Sequence, residues 1–126
     1  VGALLQAEAG NERMAEFVAP LAELGDKMSK FTTEIGIKAL QNPDEAGAAA
    51  VPYLRVAGHL VFGYFFARMA SVALKKIAAG STDPFYTAKL QTARFYFARL
   101  FPETAMLMRA ARTGSAALMD TDAALA

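Results

Sequence analysis

Cysteine and tryptophan are absent from the 126 residues, and histidine occurs once, at His59. Without cysteine there are no disulfides and no thiolate metal sites. That composition is compatible with the cytoplasm, which is the expected location. Paired carboxylates, metal-ligand spacings and nucleophile motifs are also missing, so no catalytic and no metal-binding residue is expected. No glycine-rich loop is present to cradle a phosphate, and none to hold a cofactor. No basic-then-apolar leader follows Val1, so nothing points to secretion. A start at Val rather than Met reads as the boundary of a fragment cut from a longer chain. No stretch alternates with period two over a useful length, so no sheet is expected. The apolar run from Val56 to Ala67 contains His59 and stops at Arg68. It falls short of the about 20 residues that a span needs, so no transmembrane segment is expected.

Apolar residues make up 55% of the chain, above the about 45–50% of ordinary globular proteins. The excess suits closely packed helices, or a surface that something else covers. Charge is split: residues 1–51 carry four Lys/Arg against eight Asp/Glu, and residues 52–126 carry nine against four. The basic half could attract phosphates or an acidic partner; the favoured reading is that the two halves pack together.

The apolar residues recur at spacings of four and three, the seam of packed helices. The first seam runs Phe17, Leu21, Leu24, Met28, Phe31, Ile35, with Pro20 expected to kink the helix or mark its start. Residues 1–10 read as a lead-in. After Gln41, Asn42-Pro43-Asp44-Glu45 reads as a new start with Asn42 as cap and Glu45 reaching back in a capping box. Firm helix is expected only from about Tyr53. The central helix is apolar nearly all round, with Tyr53, Ala57, Leu60, Tyr64, Ala67, Ser71 and Leu74 on one side and Val56, Phe62, Phe66, Met69 and Val72 on the other. Such a helix is expected to be buried at the centre. It should end at Gly80, with Asp83 and Pro84 opening the next helix. That seam continues from Tyr86 through Leu100 to Leu107 and Leu118. Pro102 interrupts it, but no residues are available for a loop, so a kink is expected rather than a hairpin. Gly114 should end the regular helix, and residues 119–126 form a loose tail. The fold class is therefore all-α: a soluble single domain, 1–126, built as an up-down bundle of three long helices, or four if Pro102 counts as a break.

Polar residues inside this pattern are the candidates for function. No Asp or Glu lies between Glu45 and Asp83 to orient His59, which reads as a packed or half-exposed histidine rather than a base. Arg55 and Arg68 interrupt an apolar helix; each either pairs internally with Glu23, Glu34 or Glu103, or bridges to another domain or subunit. Arg94, Arg99, Arg109 and Arg112 scatter around their helix instead of lining one stripe, which argues against nucleic acid and phosphate. Arg55, Arg68, Arg94, Arg99 and Glu103 are the candidates for interface or ion-pair contacts.

A series of residues carries a resemblance: Tyr53-Leu54-Arg55 with Gly58 and Gly63, Ala67-Arg68-Met69, Phe85-Tyr86-Thr87-Ala88-Lys89-Leu90, Thr92-Ala93-Arg94-Phe95-Tyr96-Phe97, Leu100-Phe101-Pro102-Glu103-Thr104 and Ala117-Leu118-Met119. In this order the second half of the chain resembles the C-terminal helical domain of large bacterial acyl-CoA dehydrogenases. The resemblance implies a parent chain that oxidises acyl-CoA to 2,3-enoyl-CoA, a step of fatty acid metabolism, with FAD bound in domains this chain lacks. It implies that the fragment holds no FAD and touches acyl-CoA only through the parent. Its partners would be the catalytic domains of the same chain, and it would support a homodimer. The alternative is a free-standing helical protein–protein interaction module. A weaker third reading is peripheral membrane attachment through Phe62–Phe66.

Overall fold

A computed structural model of the chain describes residues 1–120. Among them every regular element is helical. Helix α1 is Gly2–Glu8, and a short 3-10 turn at Glu12–Met14 leads into α2, Ala15–Gln41. Helix α3, Asp44–Ala78, is followed by α4, Pro84–Phe95, a π turn at Tyr96–Leu100, α5, Glu103–Ala111, and the short α6, Ala116–Met119. Helix α2 runs up, α3 down, and α4, the π turn and α5 together form the third rod of an up-down bundle.

The first seam forms the core as its spacing requires: Phe17, Leu21, Leu24, Met28 and Phe31 are all buried. Pro20 does not open α2, which begins five residues earlier and continues through it. Residues 1–10 are more than a lead-in. Helix α1 docks on the bundle by burying Glu8, whose carboxylate accepts a hydrogen bond from the Ser71 hydroxyl on α3. Asn42 accepts from the Asp44 amide at 3.1 Å. Helix α3 is regular from Asp44 onward and passes through Pro52, well ahead of the Tyr53 start that the sequence suggests.

Glu45 is not part of a capping box. Its carboxylate crosses to the far end of the chain and accepts from Ser115, at 2.8 Å from the hydroxyl and 3.3 Å from the amide. Both terminal groups at Ser115 are thereby satisfied by a residue 70 positions away.

The end of α3 follows from Gly80. Its φ of 94° is open to glycine at little cost. It lets the Gly80 amide donate to the Ile77 carbonyl and the Ser81 amide to the Lys76 carbonyl, the paired bonds that close a helix in a Schellman turn. Asp83 then caps α4 by accepting from the Phe85 amide at 2.9 Å, with Pro84 in the first helical position.

At Pro102 the chain kinks and does not reverse. The Phe101 amide donates to the Tyr96 carbonyl, five residues back, so one extra residue is accommodated ahead of the proline. Helix α5 resumes immediately along the same side of α3. Gly114, at φ 85°, follows the end of α5. Of the expected tail, residues 121–126 lie outside the described residues.

The central helix departs from expectation on one face. Val51, Leu54, Val61, Phe62, Phe65 and Val72 are each more than half exposed. Two neighbouring rods cover only part of a helix's circumference, so an all-round apolar helix in a three-rod bundle keeps one face bare. By length and composition α3 would suffice to cross a membrane, which the run Val56–Ala67 alone would not. Its other faces pack against α2, α4 and α5.

Candidate functional site: a histidine clamp between the rods

The polar residues that matter lie where α3, the π turn and α5 meet. Arg55 and His59 stand one turn apart on α3 and face Glu103, the first residue of α5. Glu103 receives both: Arg55 Nη2 at 2.6 Å on one oxygen and His59 Nε2 at 2.7 Å on the other. The second imidazole nitrogen, Nδ1, lies 2.9 Å from the Tyr96 hydroxyl, which donates to the His59 backbone carbonyl at 3.0 Å. Tyr96 belongs to the π turn; its ring stacks on Phe66 with centroids 4.4 Å apart.

Proton counting defines two states. When the tyrosine hydroxyl donates to the backbone carbonyl, Nδ1 donates to the hydroxyl oxygen and Nε2 to the Glu103 carboxylate. When the hydroxyl turns instead to Nδ1, that nitrogen accepts and Nε2–H still donates to the Glu103 carboxylate. In both states neither nitrogen offers a lone pair to a substrate, so the cluster ties rods together. The hydrogen bond from His59 holds the Glu103 carboxyl below its usual range, against the opposing effect of partial burial, and the charges of Arg55 and His59 add to it. Burial and the Glu103 charge push the Tyr96 hydroxyl up to about 12, so it stays a donor.

The other sequence candidates do not join this cluster. Arg94 on α4 reaches Glu16 on α2 at 2.8 Å, an exposed pair. Arg68 has no carboxylate partner among the described residues; it leans over the Tyr64 ring, 5.7 Å from its centroid. Arg99, in the π turn, makes no ion pair among the described residues. Arg112, read from sequence only as one of four scattered arginines, lies 3.5 Å from Glu34 and 5.3 Å over the Phe31 ring. The acidic first half and the basic second half therefore meet through Glu16–Arg94 and Glu34–Arg112.

His59 has an orienting carboxylate, Glu103, although none lies between Glu45 and Asp83 in sequence. Glu103 is 44 residues away in sequence and Tyr96 is 37 away, so no local spacing announces the cluster. The only available signal was the register of two seams, which sets Pro102 opposite the middle of α3. Among the described residues no group of acidic and histidine side chains could hold a metal ion.

Acid should loosen this arrangement. Glu8, Glu45 and Glu103 are all held below the usual carboxylate range, first by hydrogen bonds from Ser71, Ser115 and His59 respectively. A lowered folded-state value means that the stability is present above the unfolded value and lost as pH falls through the folded one. The denaturation midpoint should therefore be level near neutrality and fall progressively below about pH 4.5. Glu103→Gln should be less stable at pH 7 and show a shallower acid slope, read by urea titration across that range. An unchanged slope would show that the clamp does not contribute.

Compared with known proteins, residues 1–122 match the family model described as acetyl-CoA dehydrogenase C-terminal like. No curated protein matches the chain.

Proposed function

Since the chain belongs to the acetyl-CoA dehydrogenase C-terminal-like family, we infer that it is the non-catalytic accessory and interface domain of an FAD-dependent acyl-CoA dehydrogenase. In this reading the parent oxidises an acyl-CoA thioester to the 2,3-enoyl-CoA in the cytoplasm. FAD and the reacting atoms reside in preceding catalytic domains, against which this bundle packs while supporting a homodimer. The observation that carries the reading is the family match across nearly the whole chain. The clamp supports it, because the one histidine has both nitrogens engaged in joining helices.

The test is a comparison of two proteins. The longer parent should purify with bound flavin and reduce an artificial electron acceptor when given an acyl-CoA, while the 126-residue chain should bind no FAD in an absorbance titration. Stoichiometric flavin binding by the short chain would overturn this division of labour, and so would a parent that lacks flavin.

A further inference from the structure

The bare face of α3 is ordered in a way that specifies its occupant. With 100° between successive residues, Val51, Leu54, Gly58, Val61, Phe62, Phe65, Met69 and Val72 all lie within about 50° of one line along the helix. Six of the eight are more than half exposed. The stripe runs about 30 Å at 1.5 Å per residue. Among the described residues no helix covers it, and its spacing reads the same in both directions from the midpoint between Val61 and Phe62. Val51 and Val72 are equidistant from that point, as are Leu54 and Met69, and Gly58 and Phe65.

We propose that this stripe pairs with the same stripe of a second copy of the chain, antiparallel, about a two-fold axis between Val61 and Phe62. Self-complementarity is what an isologous two-fold interface requires, and the sizes meet it. Phe65 of each copy comes opposite Gly58 of the other, where nothing stands within 4 Å of the position a Cβ would take. Large against small at the same level lets two helices approach closely.

The charges also fit. Antiparallel pairing sets the Lys75 and Lys76 end of one helix beside the Asp44 end of the other, and it opposes the two helix dipoles favourably. Among the described residues neither Asp44 nor Lys76 makes an ion pair. Lys75 is only 3.8 Å from Glu8. Arg55 and Arg68 lie at equal distances from the midpoint but on opposite edges of the stripe, about 70° to either side. Their like charges are therefore kept apart. Glu103 further draws Arg55 away from the stripe. A single helix pair buries less than the about 800 Å² per partner of a stand-alone specific complex. The contact in this chain alone should accordingly be reversible, with a Kd between about 1 μM and 1 mM.

The inference rests on the interface role proposed above and names its partner and surface. A monomeric chain would leave the flavoprotein assignment standing, and flavin binding by the short chain would leave the dimer standing. The lack of native cysteine makes the experiment direct, since an introduced thiol is unique. The two-fold brings residue 61 of each copy close enough for a disulfide. On mild oxidation Val61→Cys should cross-link to a dimer at least tenfold more than Lys30→Cys, which places the thiol on the exposed outer side of α2. Phe65→Glu in the Val61→Cys background should lower cross-linking tenfold with helix content and melting unchanged. Asp44→Lys and Lys76→Glu should each weaken it, and the double variant should recover it. Equal cross-linking at both thiol positions would overturn the proposal. So would no effect of Phe65→Glu, or a double variant no better than the singles. Stripe-dependent flotation with anionic phosphatidylserine vesicles, without dimer formation, would overturn it in favour of a lipid partner.

Discussion

Phe17→Ala should lower the unfolding free energy by about 3–5 kcal/mol. Phe17 is fully buried on α2, and its ring meets that of Phe97 with centroids 5.8 Å apart. It is thus an internal peg between the first and third rods. Truncation loses the transfer free energy of the ring and leaves a void that the surrounding side chains fill only in part. Domains of this size have about 5–15 kcal/mol in total, so the change removes a third or more of the stability. A urea or thermal titration reads it directly. Phe95→Ala is the control, since Phe95 is more than half exposed and its loss should cost less than about 1 kcal/mol. Equal effects for the two would mean that the contact between α2 and the π turn is not a sealed core.

The second large effect is expected at Gly63. A Cβ there would stand 2.7 Å from Leu21 Cδ2 and 3.1 Å from Phe101 Cε2. Both neighbours are themselves buried, so neither side chain can swing clear. Glycine in mid-helix costs about 1 kcal/mol relative to alanine. That cost is offset here by the close approach of α2 and the residue following the π turn to α3. Gly63→Ala gains helix propensity and loses packing, for a small net loss. Gly63→Leu has no comparable compensation, and a loss of about 3 kcal/mol or more is expected. Pairing it with Leu21→Ala should recover part of the loss, giving a double variant more stable than the sum of the singles. Strict additivity would show that Leu21 is not the obstacle.

The parts of the fold that were legible in the sequence are those with local causes. The buried face of α2 follows from five residues at three-and-four spacing. The turn between α3 and α4 follows from a glycine that can take positive φ and an Asp-Pro start. The kink was inferred from what Pro102 lacks around it. Where contact depends on two distant segments, the reading failed or was silent. Glu45 looked like a capping-box residue because local spacing allows it, yet Ser115 competes successfully for the same carboxylate. His59 reads as unpartnered because its carboxylate, Glu103, stands 44 residues away in sequence. Sequence alone leaves Arg55 open between an internal pair and a bridge; its partner is Glu103. Helix α3 reads as buried all round in sequence because apolar composition says what a residue tolerates, not how many neighbours arrive to cover it.

The π turn at Tyr96–Leu100 has a consequence for chain length. Its wide turn is followed by tight ones, the Thr104 amide donating to the Phe101 carbonyl and the Ala105 amide to the Pro102 carbonyl, so phase lost in the first is regained in the second. Upstream, Leu90 and Ala93 face the core; downstream, Thr104, Leu107, Met108 and Ala111 do so as well. At 100° per residue both sets fall within about 50° of one line, so the seam stays in phase across the distortion. Deleting a single residue between 96 and 100 would therefore act like a slipped gear tooth, turning Glu103 away from His59 and the α5 core residues toward solvent while altering none of their identities.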